Sequence, residues 1–194
     1  MFSARTWLFA AILSSAGTSV IAQDATTLSD SEIWHVVHTA MQIEIDNANL
    51  ALSKSQNASV RTFADATRND YSAADKQALS SLAHFNFNPQ DNSISQSLTG
   101  SGSERTQKLS KLSGEAFDEA YARNELERLI FITGALEVTL MPSAKDPRIK
   151  SLLQNELALF QGHLRDAQQL VDQFQEHTQP TPAAPHRDYE WMED

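Results

Sequence analysis

Apolar residues recur about every 3.6 positions along most of this chain, and that spacing predicts an all-α protein. Only six glycines interrupt the 194 residues, as is typical of long helices. Four long helices are predicted at about 29–54, 57–85, 115–140 and 147–177, with a short one at about 103–112. Two short links and one longer connection favour an antiparallel four-helix bundle, with the extra short helix between the second and third long helices.

Capping residues and prolines set the predicted helix limits. Ser29 followed three positions later by Glu32 has the spacing of a capping box. Pro142 is expected to end the third long helix, and Pro147 suits the first position of the fourth. The stretch 86–103 is polar and contains one proline and two glycines, so it is interpreted as a connection without helix.

Polar side chains interrupt the apolar face of each long helix. On a helical projection the core positions include Glu44, Tyr71, Glu125, Arg128, Glu156 and His163. An unpaired charge in a core costs several kcal/mol, so these residues indicate either a site or a buried polar network. Antiparallel packing would bring Glu44, Tyr71, Arg128 and His163 to one level, because all four lie near helix midpoints.

The favoured interpretation is a self-sufficient network. In it, Arg128 neutralises Glu125 or Glu44, while His163 and the Tyr71 hydroxyl satisfy the remaining acceptors. An organic ligand or a reactive centre at the same level stays open as a third interpretation. The sequence contains no catalytic triad spacing and no phosphate-binding glycine loop, so we expect no enzymatic activity.

The alternative is a metal site for iron, manganese or zinc. Its candidate ligands are Glu44, Tyr71, Glu125, Glu156 and His163. Bundle di-metal centres normally take a Glu-x-x-His pair from each of two helices. Here the residues three positions after the three glutamates are Asn47, Arg128 and Leu159. The literal Glu-x-x-His, Glu32 to His35, is better explained by the capping box. We therefore expect no bound cofactor.

Composition excludes several classes of partner and site. The chain has no cysteine, which rules out thiolate metal sites, iron–sulfur clusters and cysteine nucleophiles. Its net charge of −10 disfavours nucleic acid and anionic lipid as partners. An envelope protein or a small ligand is the expected partner.

The two ends of the chain differ from its middle. Residues 1–22 carry Arg5, an apolar run and the small-residue spacing of a cleavage site after Ala22, and so predict a signal peptide. Residues 23–28 are a short linker, 29–177 the bundle domain, and 178–194 a proline-containing acidic tail expected to be disordered. No later run is long enough to cross a membrane. A periplasmic location, with possible outer-membrane association, is expected; an uncleaved N-terminal anchor is the alternative.

Several short motifs, in order, resemble family 4142 of the domains of unknown function. They include Leu28-Ser29-Asp30-Ser31-Glu32-Ile33, Leu112-Ser113-Gly114-Glu115, Leu140-Met141-Pro142-Ser143-Ala144-Lys145 and His163-Leu164. The resemblance covers roughly 28–170. It implies an exported bacterial protein, often labelled an outer-membrane protein, with a ferritin-like helical bundle.

The chain departs from that family at two histidine positions. Family members usually have Asp-His where this chain has Asp70-Tyr71, and a histidine where it has Leu129. His163 matches the family's histidine in the last helix. The expected function is therefore a non-catalytic binding or structural role in the cell envelope. The alternative is a metal-binding ferritin-like protein with a degenerate site.

Overall fold

The computed structural model describes residues 28–178, which form helices joined by short connections and contain no strand. The all-α prediction is therefore confirmed for this part of the chain. The helices are α1 (Asp30–Lys54), α2 (Ala58–His84), α3 (Ser93–Ser110), α4 (Gly114–Ala135) and α5 (Pro147–Thr178). The predicted signal peptide, the linker up to residue 27 and the tail from residue 179 lie outside the described residues.

The capping residues read from the sequence act as expected. The Ser29 hydroxyl accepts a hydrogen bond from the Glu32 N–H at 3.3 Å, and the Glu32 carboxylate accepts from the Ser29 N–H at 2.8 Å. At the start of α2, the Asn57 side chain accepts from the amides of Ser59 and Val60. These bonds satisfy amides that have no partner inside the helix, and so fix where α1 and α2 begin.

The predicted limits of the short helix were wrong. α3 begins at Ser93, ten residues before the expected start, with Asn92 as its N-cap. Both glycines that suggested a linker, Gly100 and Gly102, lie inside the helix. Tertiary packing outweighs their low helix propensity, because Ile94, Gly102 and Leu109 form a buried face.

α4 also runs slightly further than expected. It continues through a π-helical turn, Leu136–Leu140, in which the Met141 N–H donates to the Leu136 carbonyl, and ends in the turn Met141–Ser143. Pro142 therefore sits within the last turn instead of closing the helix at residue 140. In a regular helix its ring would clash with the carbonyl four residues back, and the wider turn relieves that crowding.

The helices pack into a bundle around one apolar core. α1 lies against α2, α4 against α5, and α2 against α5, while α3 contacts both α1 and α4 along one side. The largest fully buried side chains are Trp34, Tyr71, Phe117, Tyr121 and Phe160. Within residues 28–178, no helix combines the length and apolar character needed to cross a bilayer.

A polar contact ties the start of α1 to the connection between α4 and α5. The Asp30 carboxylate, in the first turn of α1, accepts hydrogen bonds from the backbone amides of Lys145 at 2.7 Å and Asp146 at 2.8 Å. It thereby fixes the α4–α5 connection against the start of α1. The arrangement leaves the middle of α1 facing the middle of α4, where the charged residues lie.

Candidate functional site

A buried ion-pair cluster joins α1 to α4. The Arg128 Nη2 atom contacts a carboxylate oxygen of Glu44 and lies 3.1 Å from Oε2 of Glu125. Glu125 is completely buried, and Glu44 is 2% exposed. Burial raises the pKa of Glu125 well above its ordinary value, although Arg128 opposes the shift and Glu44 adds to it. One buried guanidinium thus faces two buried carboxyl groups.

Two tyrosines lie beside this cluster. Tyr71 of α2 and Tyr121 of α4 are fully buried, and their hydroxyls have no hydrogen-bond partner among residues 28–178. Burial raises the pKa of both phenols well above 10, and the charges of Glu44 and Glu125 add to the effect. Both tyrosines therefore stay neutral, and neither can act as a phenolate at physiological pH.

His163 lies away from the ion pairs. Its Nδ1 is 3.5 Å from the Thr67 hydroxyl, and its Nε2 is 3.3 Å from a carboxylate oxygen of Asp70. Its ring packs against Tyr71, with centroids 4.8 Å apart. His163 therefore contacts residues of α2, including the Tyr71 ring. No hydrogen bond joins it to Glu44 or Glu125 within the described residues.

Glu156 belongs to a second polar cluster, between α1, α2 and α5. Asp75 accepts hydrogen bonds from His38 at 2.6 Å and from Gln42 at 3.0 Å. Burial and the nearby Asp75 raise the pKa of Glu156 to about 7. Sequence reasoning missed Asp75, although it lies one turn after Tyr71 on the same face of α2.

The five metal-ligand candidates are distributed over these separate contacts. Glu44 and Glu125 share Arg128, His163 faces Asp70, and Glu156 lies near Asp75. In the part of the chain that the structure describes, no group of three or more aspartate, glutamate or histidine side chains is arranged to hold a metal ion. The observed chemistry at the bundle centre is charge pairing.

A pocket of about 590 Å³ opens beside the ion-pair cluster, between α1, α3 and α4. Its apolar lining comes from Ala40, Ile43, Ile94, Leu98, Phe131 and Ile132. Glu44 and Arg128 belong to the lining too, so the pocket and the ion pair share a wall. Sequence reasoning could not find this pocket, because six of its fourteen lining residues lie on the part of α3 that was interpreted as a connection without helix.

Two lining residues differ in their exposure and in their hydrogen bonding. Phe131 is 46% exposed. Only 12% of the Arg128 side chain is exposed, and its Nε and Nη1 atoms are buried without a hydrogen-bond partner within residues 28–178. By contrast, Arg105, also in the lining, is paired with Glu127 at 3.1 Å and Asn124 at 2.9 Å.

Comparison with known proteins identifies only the family of this chain. No curated protein and no solved structure matches the chain. A family model described as "Domain of unknown function (DUF4142)" matches residues 15–170, which is most of the sequence and includes α1 to α4, the greater part of α5 and the ion-pair cluster. As the sequence motifs had implied, this chain belongs to the DUF4142 family.

Proposed function

We propose that this chain is an exported, non-catalytic binding protein of the bacterial cell envelope that takes up a small, mainly apolar molecule. The supporting observation is the pocket of about 590 Å³ between α1, α3 and α4, with its largely apolar lining. Ligand pockets in proteins typically measure about 300–1,000 Å³ and combine apolar walls with a few polar groups. This pocket has that size and that composition.

The use of the polar groups supports a non-catalytic role. Glu44 and Glu125 are both engaged with Arg128. His163 lies near the middle of α5. It faces Thr67 and Asp70 and does not line the pocket. A general base needs hydrogen-bond reach to its substrate, and the pocket lining offers no such histidine.

Export and the finer architecture are parts of the same proposal. The signal-like residues 1–22, with cleavage after Ala22, support delivery to the periplasm. The contacts of α1 with α2, α2 with α5 and α5 with α4 support an antiparallel, ferritin-like bundle, against which α3 is an added helix.

Metal binding is the alternative function. It would be supported if the purified mature protein contained stoichiometric iron, manganese or zinc, and if the Glu44→Ala and His163→Ala variants did not bind that metal. The geometry offers it no direct support, since these two residues belong to different contact groups. Metal analysis therefore separates the two functions without knowledge of the natural ligand.

Binding of an apolar probe tests the proposed function. We expect the mature chain to bind one N-phenyl-1-naphthylamine molecule, with a rise in the fluorescence of the probe. Ser97 lines the pocket, so Ser97→Trp should fill it and weaken binding by about tenfold or more. Ser103 is exposed on α3 outside the lining, so Ser103→Trp is the matched control and should bind normally. Absence of binding, or equal binding by both variants, would refute the proposal.

A further inference from the structure

A second pocket, of about 550 Å³, continues the first one along α3 and α4. The first pocket is lined on α3 by residues up to Arg105 and on α4 by residues from Glu127 onwards. The second is lined on α3 by residues from Ser101 onwards and on α4 by residues up to Glu127. The two pockets therefore lie in line between the same two helices, which run in opposite directions.

Arg105 crosses from α3 to α4 at the boundary between the two pockets. Its Nη1 donates hydrogen bonds to Oδ1 of Asn124 at 2.9 Å and to Oε2 of Glu127 at 3.1 Å. Arg105 and Glu127 line both pockets, so these contacts, which we call the Arg105 bridge, lie where one pocket ends and the other begins. A molecule in the first pocket is stopped at this point while the bridge is closed.

The Arg105 bridge is weak enough to open. The side chains of Arg105 and Glu127 are 41% and 67% exposed, and ion pairs of this exposure contribute little. Together with the hydrogen bond to Asn124, the contacts should favour the closed form by about tenfold. Arg105 is also outside the apolar core, so its side chain can move aside without a change in helix packing.

Beyond the bridge, an apolar chain would still find apolar contacts. Leu109, Leu112 and Ala120 line the second pocket, together with the charged residues Glu104 and Lys108. A molecule that fills both pockets must be long, because the pockets follow one another along the helices. Its inner part would contact apolar residues only in stretches separated by the Arg105 bridge.

We propose that the two pockets hold a compound with a long alkyl chain, and that the Arg105 bridge sets the chain length that binds without a penalty. This inference rests on the proposed binding function and specifies its ligand class. A chain that fits within the first pocket leaves the bridge closed. A longer chain has to displace Arg105 before it gains contacts in the second pocket.

A series of alcohols of increasing length tests the bridge. The 1-alkanols from 1-hexanol to 1-tetradecanol are each used to displace N-phenyl-1-naphthylamine from the mature protein. Each methylene that enters an apolar pocket raises the affinity by about fourfold. In the natural protein we expect this rise to be interrupted by a loss of about tenfold at the chain length that reaches Arg105.

Removal of the bridge should abolish that interruption. Arg105→Ala should bind the longest alcohols about tenfold more tightly than the natural protein does, and the shortest alcohols equally well. Arg123→Ala is the matched control, because Arg123 pairs with Glu119 on α4 and lines neither pocket. It should keep the chain-length dependence of the natural protein.

A second variant separates the bridge from the charge of Arg105. Asn124→Ala combined with Glu127→Ala removes both acceptors and leaves the arginine in place. The long alcohols should again bind more tightly than they bind the natural protein, since Arg105 is then free to move aside. Both positions are outside the apolar core, so the variant should fold.

The outcomes separate this inference from the proposed function. If Arg105→Ala shows the same chain-length dependence as the natural protein, or if Arg123→Ala shows the same gain for long alcohols, the inference is overturned while the binding function stands. A gain in Arg105→Ala that is absent from the double variant would assign the effect to charge and would also overturn it. If N-phenyl-1-naphthylamine does not bind to the natural protein, the binding function fails and the inference fails with it.

Discussion

At the scale of single residues, Arg128 decides the electrostatic balance of the bundle centre. It is the cation that contacts both Glu44 and Glu125, from a position with little exposure to water. Pairs of this kind contribute little net stability when complete, because desolvation offsets their attraction. Removing one partner is much more costly, because the other charge is then buried alone.

Arg128→Ala should therefore lower the free energy of unfolding by about 3–5 kcal/mol, as measured by urea denaturation of the metal-free protein. Arg123 is the matched control on the same helix, because it pairs with Glu119 at 3.4 Å but its side chain is 63% exposed. Arg123→Ala should cost less than about 1 kcal/mol. Equal stability of the two variants would contradict the role assigned to the buried cluster.

Glu156 gives the protein a predictable response to pH. Its pKa is raised from 4.5 to about 7 by burial and by Asp75, so the native state binds this proton more tightly than the unfolded chain does. The stabilisation that the bound proton on Glu156 contributes is fully present below pH 4.5, and it is lost as the pH rises through about 7. In Glu156→Gln, the fall in stability between pH 5 and pH 8 should be smaller than in the natural protein by about 1–3 kcal/mol.

Urea denaturation at the two pH values measures this difference. Glu104 is exposed on α3, so Glu104→Gln provides a control that should keep the pH dependence of the natural protein. A pH dependence unchanged by Glu156→Gln would show that the carboxyl group is solvated in the native state.

The sequence predicted part of this residue-level picture. Helical projection and mid-helix position predicted that Arg128 would neutralise Glu44 or Glu125, and in the structure it contacts both. The same reasoning grouped His163 with them, but the histidine faces Asp70. A helical projection gives the direction of a side chain only to within a broad arc. Which neighbouring helix the side chain contacts depends on how each helix is rotated about its axis in the packed bundle.

At the scale of elements, α3 is where sequence and structure differ most. Its first ten residues, 93–102, are rich in serine and contain both Gly100 and Gly102, a composition with low helix propensity. Asn92 nonetheless caps it and, with a hydrogen bond to the Glu32 carbonyl at 3.1 Å, attaches its start to α1. Contacts of this kind join residues distant in sequence, and local patterns cannot reveal them.

The two glycines of α3 should respond differently to alanine. A Cβ at Gly100 would meet no atom within 4 Å, so Gly100→Ala should stabilise the protein by about 0.5–1 kcal/mol through helix propensity. A Cβ at Gly102 would lie 3.1 Å from Cδ1 of Ile43, which would have to move. Gly102→Ala should therefore gain less than Gly100→Ala in thermal unfolding. An equal gain would mean that α3 is not held closely against α1.

At the scale of the whole molecule, the helical class and the family could be identified from the sequence, but the pocket could not. Helix number and caps depend on local patterns that the sequence displays, such as Ser29 with Glu32. The pocket depends on how α3 lies across α1 and α4. Gly102 permits a close approach of α3 to α1, because a Cβ there would lie 3.1 Å from Cδ1 of Ile43.

Export is the whole-molecule property that can be tested most directly. We expect the protein expressed with its leader to be recovered from the periplasm with Gln23 as its first residue, because residues 20–22 have the small-residue spacing of a cleavage site. N-terminal sequencing of the periplasmic fraction checks this. Ala22→Arg should block processing and leave the longer chain at the membrane, whereas a natural chain that keeps residues 1–22 would indicate an N-terminal anchor.

The position of α3 along one side of the bundle has an evolutionary consequence. Three serines, Ser93, Ser97 and Ser101, are exposed members of the pocket lining, and none of them belongs to the apolar core. Substitutions there would change the size and polarity of the cavity at little cost in folding, since surface substitutions usually alter stability by less than about 0.5 kcal/mol. Within one family, a conserved bundle can thus present differently shaped cavities, and ligand preference can diverge faster than the fold.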